Sequence, residues 1–215
     1  DLSLLYYICI FCKTVPGVLQ ENLSMNNNGT ALRGQKEKRL RQYGKVIWMT
    51  GLSGAGKTTL AIHLEKELNA RGYLTRIIDN DRVRSGLNRD LGFSEDDRHE
   101  NLRRIAEVAK LFCETGVIVI ATFISPTEFS REQARGIIGS DDFMLLYVNA
   151  SIEVCEKRDV KGLYKKARIG LIPFFTGIDS PFDPPENADI EVETDRISVE
   201  EAIDKILSKI IPCVE

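Results

Sequence analysis

From residue 46 onward, short unbroken apolar runs alternate with stretches whose apolar residues recur every three or four positions. The runs at 46–50, 74–79, 117–123 and 143–148 predict strands, and the stretches at 58–70, 96–113 and 131–138 predict helices. Leu60, Ala61, Leu64 and Leu68 share one face of the first helix, and Leu102, Ile105, Ala109 and Phe112 share one face of the second. Residues 117–121 are apolar at every position rather than at alternate ones, the signature of a strand covered on both faces. The βαβα order therefore predicts an α/β fold with a central parallel sheet flanked by helices. Residues 190–192 supply a last strand and 199–211 a C-terminal helix.

The N-terminal part breaks this pattern. Residues 4–12 are nearly all apolar but too few to span a bilayer, and the first basic residue, Lys13, follows them instead of preceding them as in a secretory leader. Composition shifts again at Met25, so residues 1–24 read as an extension upstream of a natural start. Residues 25–45 read as a basic polar arm, solvated from Arg33 on, where Arg33, Lys36, Lys38, Arg39, Arg41 and Lys45 face a single acid, Glu37. The domain itself is expected over 46–215.

Composition narrows the classes. With 215 residues, 43% apolar and 28% charged, the chain is an ordinary globular one, long enough to bury a core without disulfides or a structural metal. Its 29 basic and 32 acidic residues leave a net charge of −3, which gives no reason to expect nucleic acid or an anionic membrane as partner. Five scattered cysteines fit reduced thiols in the cytoplasm. Cys9 and Cys12 form a C-x-x-C with no second pair to complete a zinc site.

The chemistry enters directly after the first strand. Gly51-Leu52-Ser53-Gly54-Ala55-Gly56-Lys57-Thr58 satisfies G-x-x-x-x-G-K-[ST] at every constrained position and runs through Thr59 into a helix. Such a loop wraps phosphate oxygens with backbone N–H groups at a helix N-terminus. Lys57 supplies positive charge to the outer phosphates and the Thr58 hydroxyl is a Mg²⁺ ligand. The fold class sharpens to a P-loop NTPase-type three-layer fold.

A phosphate loop does not name the acceptor, which is read from the other strand ends. Asp79 and Asp81 lie two residues apart after the second strand, where an extended chain points both carboxylates the same way, and one could accept a hydroxyl proton or reach Mg²⁺ through water. Ser94 is a helix N-cap with Asp97 three residues on, and Arg98 and Asn101 fall one turn apart. Phe123-Ile124-Ser125-Pro126 closes the third strand. Six cations (Lys157, Arg158, Lys161, Lys165, Lys166, Arg168) against Asp159 form a basic segment placed as a lid over the phosphates.

Taken together, these motifs resemble the adenylylsulfate kinase family over residues 33–212. They comprise 51–59, Gly-Leu-Asn-Arg-Asp-Leu-Gly-Phe-Ser at 86–94, the helix at 97–112, Phe-Ile-Ser-Pro at 123–126, Arg-Asp-Val-Lys-Gly-Leu-Tyr-Lys-Lys-Ala-Arg at 158–168 and Phe-Thr-Gly-Ile-Asp-Ser at 175–180. The resemblance implies transfer of the ATP γ-phosphate to the 3′-hydroxyl of adenosine 5′-phosphosulfate (APS), with Mg²⁺ and a homodimer. It also implies a cytoplasmic role in sulfate assimilation, with ATP sulfurylase as a partner. Carried over by position, Lys57, Asp81 and Ser125 are the catalytic residues, Ser125 matching a serine described as phosphorylated in bacterial members. Gly51 to Thr59 and Arg158 hold nucleotide, and Thr58 and Asp79 hold the metal. Asp81, Arg84, Phe93, Arg98, Asn101, Ile124, Ser125, Lys161 and Phe175 form the acceptor site, with Phe93 and Phe175 stacking an adenine. Two departures stand out. The usual Asp-Gly-Asp-Asn reads Asp79-Asn80-Asp81-Arg82, and the usual Lys-Gly before Phe-Thr-Gly reads Pro173-Phe174. Two rivals share the phosphate loop: a kinase for another small hydroxyl substrate, and a non-catalytic nucleotide-binding regulatory module.

Overall fold

The computed structural model describes residues 32–215; the 1–24 extension, Cys9, Cys12 and the first part of the arm lie outside them. Five strands form one sheet: β1 (Lys45–Thr50), β2 (Thr75–Asp79), β3 (Ile118–Thr122), β4 (Phe143–Asn149) and β5 (Ile190–Glu193). Their order is β2-β3-β1-β4-β5 and every pairing is parallel. Among the described residues eight helices accompany them: α1 (Arg33–Leu40), α2 (Lys57–Ala70), α3 (Asn80–Arg84), α4 (Glu95–Cys113), α5 (Glu128–Ile138), α6 (Ile152–Arg158), α7 (Leu163–Arg168) and α8 (Val199–Val214).

Strand alternation divides the core. Ile47, Met49, Ile118, Ile120, Leu146 and Val148 face Leu60, Ala61, Leu64 and Leu68 of α2 and Ile203, Ile206 and Ile210 of α8. Val46, Trp48, Val119, Ala121 and Leu145 face Leu102, Ile105, Ala106 and Ala109 of α4 and Ala134 and Ile138 of α5. Both faces of β1 and β3 are thus buried, as their unbroken apolar runs require. Ser94 caps α4 through the Asp97 N–H, and Ser198 with Glu201 forms a reciprocal capping box on α8.

Two expectations fail here. Phe112 is 38% exposed; Ala106 and Cys113 complete the buried face of α4 instead. The segment from Arg33 on is not a solvated arm either. Glu37 is buried and accepts from Arg33 Nε at 2.8 Å and from Gly44 N at 3.1 Å, while Arg33 also reaches Asp142. Buried Gln42 donates to the carbonyls of Leu74 and Gly116 and accepts from Leu74 N. A charge count reads Lys38, Arg39 and Arg41, which are exposed, and misses that one acid and one amide satisfy the turns beneath.

Candidate active site

The C-terminal ends of β1, β2 and β3 converge because β1 and β3 are neighbours and β2 lies beyond β3. The loop after β1 runs close against the rest of the protein: a Cβ on Gly51 (φ 145°) would sit 2.3 Å from the Val148 carbonyl oxygen, and one on Gly54 (φ 79°) would sit 2.9 Å from that of Cys155. Only glycine fits both positions. Lys57 Nζ folds over this loop and donates to the carbonyls of Gly51 and Leu52, each at 2.8 Å. Burial lowers its pKa to about 8, and the nearby Lys161 charge adds to that.

This shift has a measurable sign. Free protein loses the Lys57 proton as pH rises through about 8, whereas a bound polyphosphate holds it on, so binding above that pH must take up a proton. ADP affinity is expected to fall about fivefold between about pH 8 and pH 9 by linkage. Calorimetric titration checks this, and a flat profile would remove Lys57 from the phosphate site.

Thr58 Oγ1 donates to Asp79 Oδ2 at 3.1 Å, and Thr122 Oγ1 donates to the same oxygen at 2.9 Å. Asp79 Oδ1 accepts from Asp81 N at 3.1 Å and so caps α3. The chain therefore turns helical at Asn80, and the two carboxylates do not point the same way as extended geometry predicts. Asp79 faces the phosphate loop, and exposed Asp81 pairs with Lys161. Thr58 and Asp79 present hard oxygen donors side by side, the partial set that Mg²⁺ takes when phosphates and water complete its shell. Among the described residues no group of three or more His, Cys, Asp or Glu could hold a metal by itself.

On the acceptor side, the Arg84 guanidinium lies 4.5 Å above the Phe93 ring and donates to Gly92 O at 2.8 Å. Phe93 is 67% exposed. Arg98 donates to Phe93 O at 3.0 Å and to Phe174 O at 2.8 Å, joining the start of α4 to the 174–176 segment. The other expected residues are more enclosed. Asn101 is buried, accepting from Asn88 Nδ2 at 2.9 Å and donating to Asn80 Oδ1 at 3.4 Å. Phe175 is buried edge-on against Tyr164, so it does not offer the open stacking face expected of it. Ser125 (φ 44°) is buried; its Oγ accepts from Trp48 Nε1 at 2.8 Å and its carbonyl from Arg131. Ile124 O accepts from Thr50 Oγ1 at 2.6 Å, strapping this segment to the end of β1.

The basic segment splits its charge. Arg158 donates to Gly54 O at 3.2 Å and to Thr194, whose hydroxyl donates in turn to Ala55 O at 2.7 Å. Lys161 reaches Asp81, while Arg168 turns back to Glu156. Thr194 and Thr122 were not singled out by the sequence. Single hydroxyls at the end of a strand or just beyond it carry no motif. A cleft of about 550 Å³ opens between Leu52 and the 177–184 segment, with Tyr147 on its wall.

A family model for adenylylsulphate kinase matches residues 43–193, well over half the chain. The chain belongs to the adenylylsulphate kinase family. The adenylyl-sulfate kinase of Bacteroides thetaiotaomicron is 54% identical over 183 residues, spanning 85% of this chain and 91% of that one. The solved Mycobacterium tuberculosis APS kinase in complex with AMPPNP and APS superposes with a TM-score of 0.75 at 42% identity, covering 79% of this chain and 98% of that one. The hexameric APS kinase from Thiobacillus denitrificans gives 0.60 at 28%, covering 80% of this chain and 29% of the other.

Where the sequence departs from the adenylylsulphate kinase pattern, the backbone explains what the usual glycine does. Phe174 sits at φ 55°, exposed, with its N–H donating to Asp179 Oδ2 at 2.8 Å. A left-handed bulky residue costs roughly 1–2 kcal/mol, so Phe174→Gly is expected to raise the thermal midpoint by about 3 °C. An unchanged or lower midpoint by scanning calorimetry would mean that contacts of the Phe174 ring offset the strain.

Proposed function

We propose that this chain transfers the γ-phosphoryl group of ATP to the 3′-hydroxyl of APS, giving 3′-phosphoadenosine 5′-phosphosulfate and ADP. The observation that carries the reading is the meeting, at one sheet end, of a complete phosphate loop with the Arg84–Phe93–Arg98 cluster, in a chain 54% identical to a named adenylyl-sulfate kinase. Phosphoryl transfer needs positioning and charge compensation more than covalent help. Lys57 and the loop N–H groups hold the outer phosphates of ATP. Arg84 and Arg98 offer donors to the phosphosulfate and Phe93 an aromatic face to the adenine.

The acceptor 3′-oxygen attacks the γ-phosphorus in line as the bond to the β–γ bridging oxygen breaks, and Asp81 orients the hydroxyl and takes its proton. For this Asp81 exchanges its contact with Lys161 for the hydroxyl, freeing that ammonium for the phosphates. Thr58, with Asp79 beside it, would hold Mg²⁺, which would supply charge neutralisation on the phosphate oxygens. Ser125, hydrogen-bonded to Trp48 and buried, serves the site through its backbone and not as a phosphate carrier. The reading includes a cytoplasmic homodimer, in keeping with free thiols at Cys113 and Cys155, and an ATP sulfurylase that supplies the acceptor. The test is ADP release with APS against a panel of nucleosides, sugars and hydroxy acids. APS is expected to exceed every other acceptor in kcat/KM by about ten-thousandfold, since sites built on paired polar groups discriminate on that scale. Comparable turnover of another acceptor would overturn the assignment.

A further inference from the structure

Tyr164 stands between the two halves of the site. It is 1% exposed, in the first turn of α7, and packs in the core with Ala55, Cys155 and Phe175. Its N–H donates to Asp159 Oδ1 at 3.0 Å, its hydroxyl donates to Ser53 O at 2.9 Å, and its ring meets that of Phe175 at 5.0 Å and 75°. Burial pushes the phenol pKa up, so the hydroxyl keeps its proton.

The Ser53 carbonyl shares a planar trans peptide with Gly54 N–H. Holding the oxygen toward Tyr164 turns that N–H to the opposite side. On its other flank Tyr164 meets a segment ordered from the acceptor side. Asp179 accepts from Phe174 N and Phe175 N, and Arg98 donates to Phe174 O. The same segment touches the phosphate loop once more, since a Cβ on Gly177 would lie 3.0 Å from Leu52 Cδ2.

We propose that Tyr164 is a positioning residue for phosphoryl transfer: its hydroxyl sets the Ser53–Gly54 peptide of the phosphate loop, and its ring passes the state of the 174–180 segment to that loop. The acceptor half of this statement rests on the function proposed above; the nucleotide half rests only on the phosphate loop. Binding on either side then biases the other, because both must agree on one placement of the same phenol.

The experiment uses the full chain and ADP with Mg²⁺, with no acceptor present. Tyr164→Phe keeps the ring and removes the hydroxyl; it is expected to weaken ADP binding about tenfold, the value of one buried hydrogen bond, and to raise the KM for ATP alike with kcat changed far less. Phe175→Leu, on the acceptor side, is expected to weaken ADP binding about threefold. In the double variant the Phe175 effect should vanish, since it acts through the Tyr164 hydroxyl. Wild-type ADP affinity in Tyr164→Phe, even with a lowered thermal midpoint, would overturn the proposal. So would strict additivity in the double variant. If Tyr164→Phe does not fold, unchanged ADP affinity in Phe175→Leu overturns it alone. Wild-type protein that binds ADP but leaves APS unphosphorylated would sink the proposed acceptor while leaving every ADP comparison readable.

Discussion

Lys57→Ala is expected to fold normally and to lose two to three orders of magnitude in turnover of ATP and APS. The ammonium lies over the phosphate loop, bridging the Gly51 and Leu52 carbonyls. Removing one preorganised charge contact at a reacting centre costs roughly 3–4 kcal/mol of transition-state stabilisation. The fold should not notice, because Leu52 O keeps its bond from Ala55 N and the enclosed ammonium is itself an unfavourable burial, as its lowered pKa records. The measurement is kcat at saturating substrates beside the thermal midpoint. A variant keeping a tenth of the wild-type rate would remove Lys57 from the chemistry, and a collapse of the midpoint would recast it as structural.

Asp81→Asn carries the second large effect. The carboxylate is exposed and its visible partner is Lys161, a surface pair whose loss is worth at most about 1 kcal/mol. Stability should therefore stay near wild type. Turnover should fall by about a hundredfold to ten-thousandfold, the range for a positioned general base. An Asn variant with near-normal kcat would transfer the role to another group. Asp79 is the nearest alternative, yet it already accepts from Thr58, Thr122 and the Asp81 backbone.

The sequence makes legible whatever depends on local pattern. All five strands lie within a residue or so of where their apolar runs place them, and the phosphate loop follows from spacing alone. Contacts between distant segments are less visible. Thr194 supports Ala55 from 139 positions away, and Tyr164 reaches Ser53 across 111, with no periodicity to announce either. Asp79 and Asp81 diverge because two-residue spacing implies a shared direction only in extended chain, and Asp79 ends the strand by capping a helix. Glu37 and Gln42 escape a sequence reading because charge balance registers a segment's cations and not its one buried acid. Phe175 shows the same limit from the apolar side, since an aromatic next to a lid can face ligand or core, and here it faces Tyr164.

The position of β1 has a consequence for how the chain is made. Its residue Lys45 pairs with Ile118 on one side, and Val46 pairs with Phe143 on the other. Neither neighbour exists when the ribosome first releases β1. At about 5–20 residues per second, roughly seventy more residues take some 4–14 s to appear. For that interval the apolar run from Val46 to Met49 has no strand partner, and α2, which follows it directly, can cover only its Ile47 and Met49 face. The strand that ends in the phosphate loop thus waits unpaired while the rest of the sheet is made.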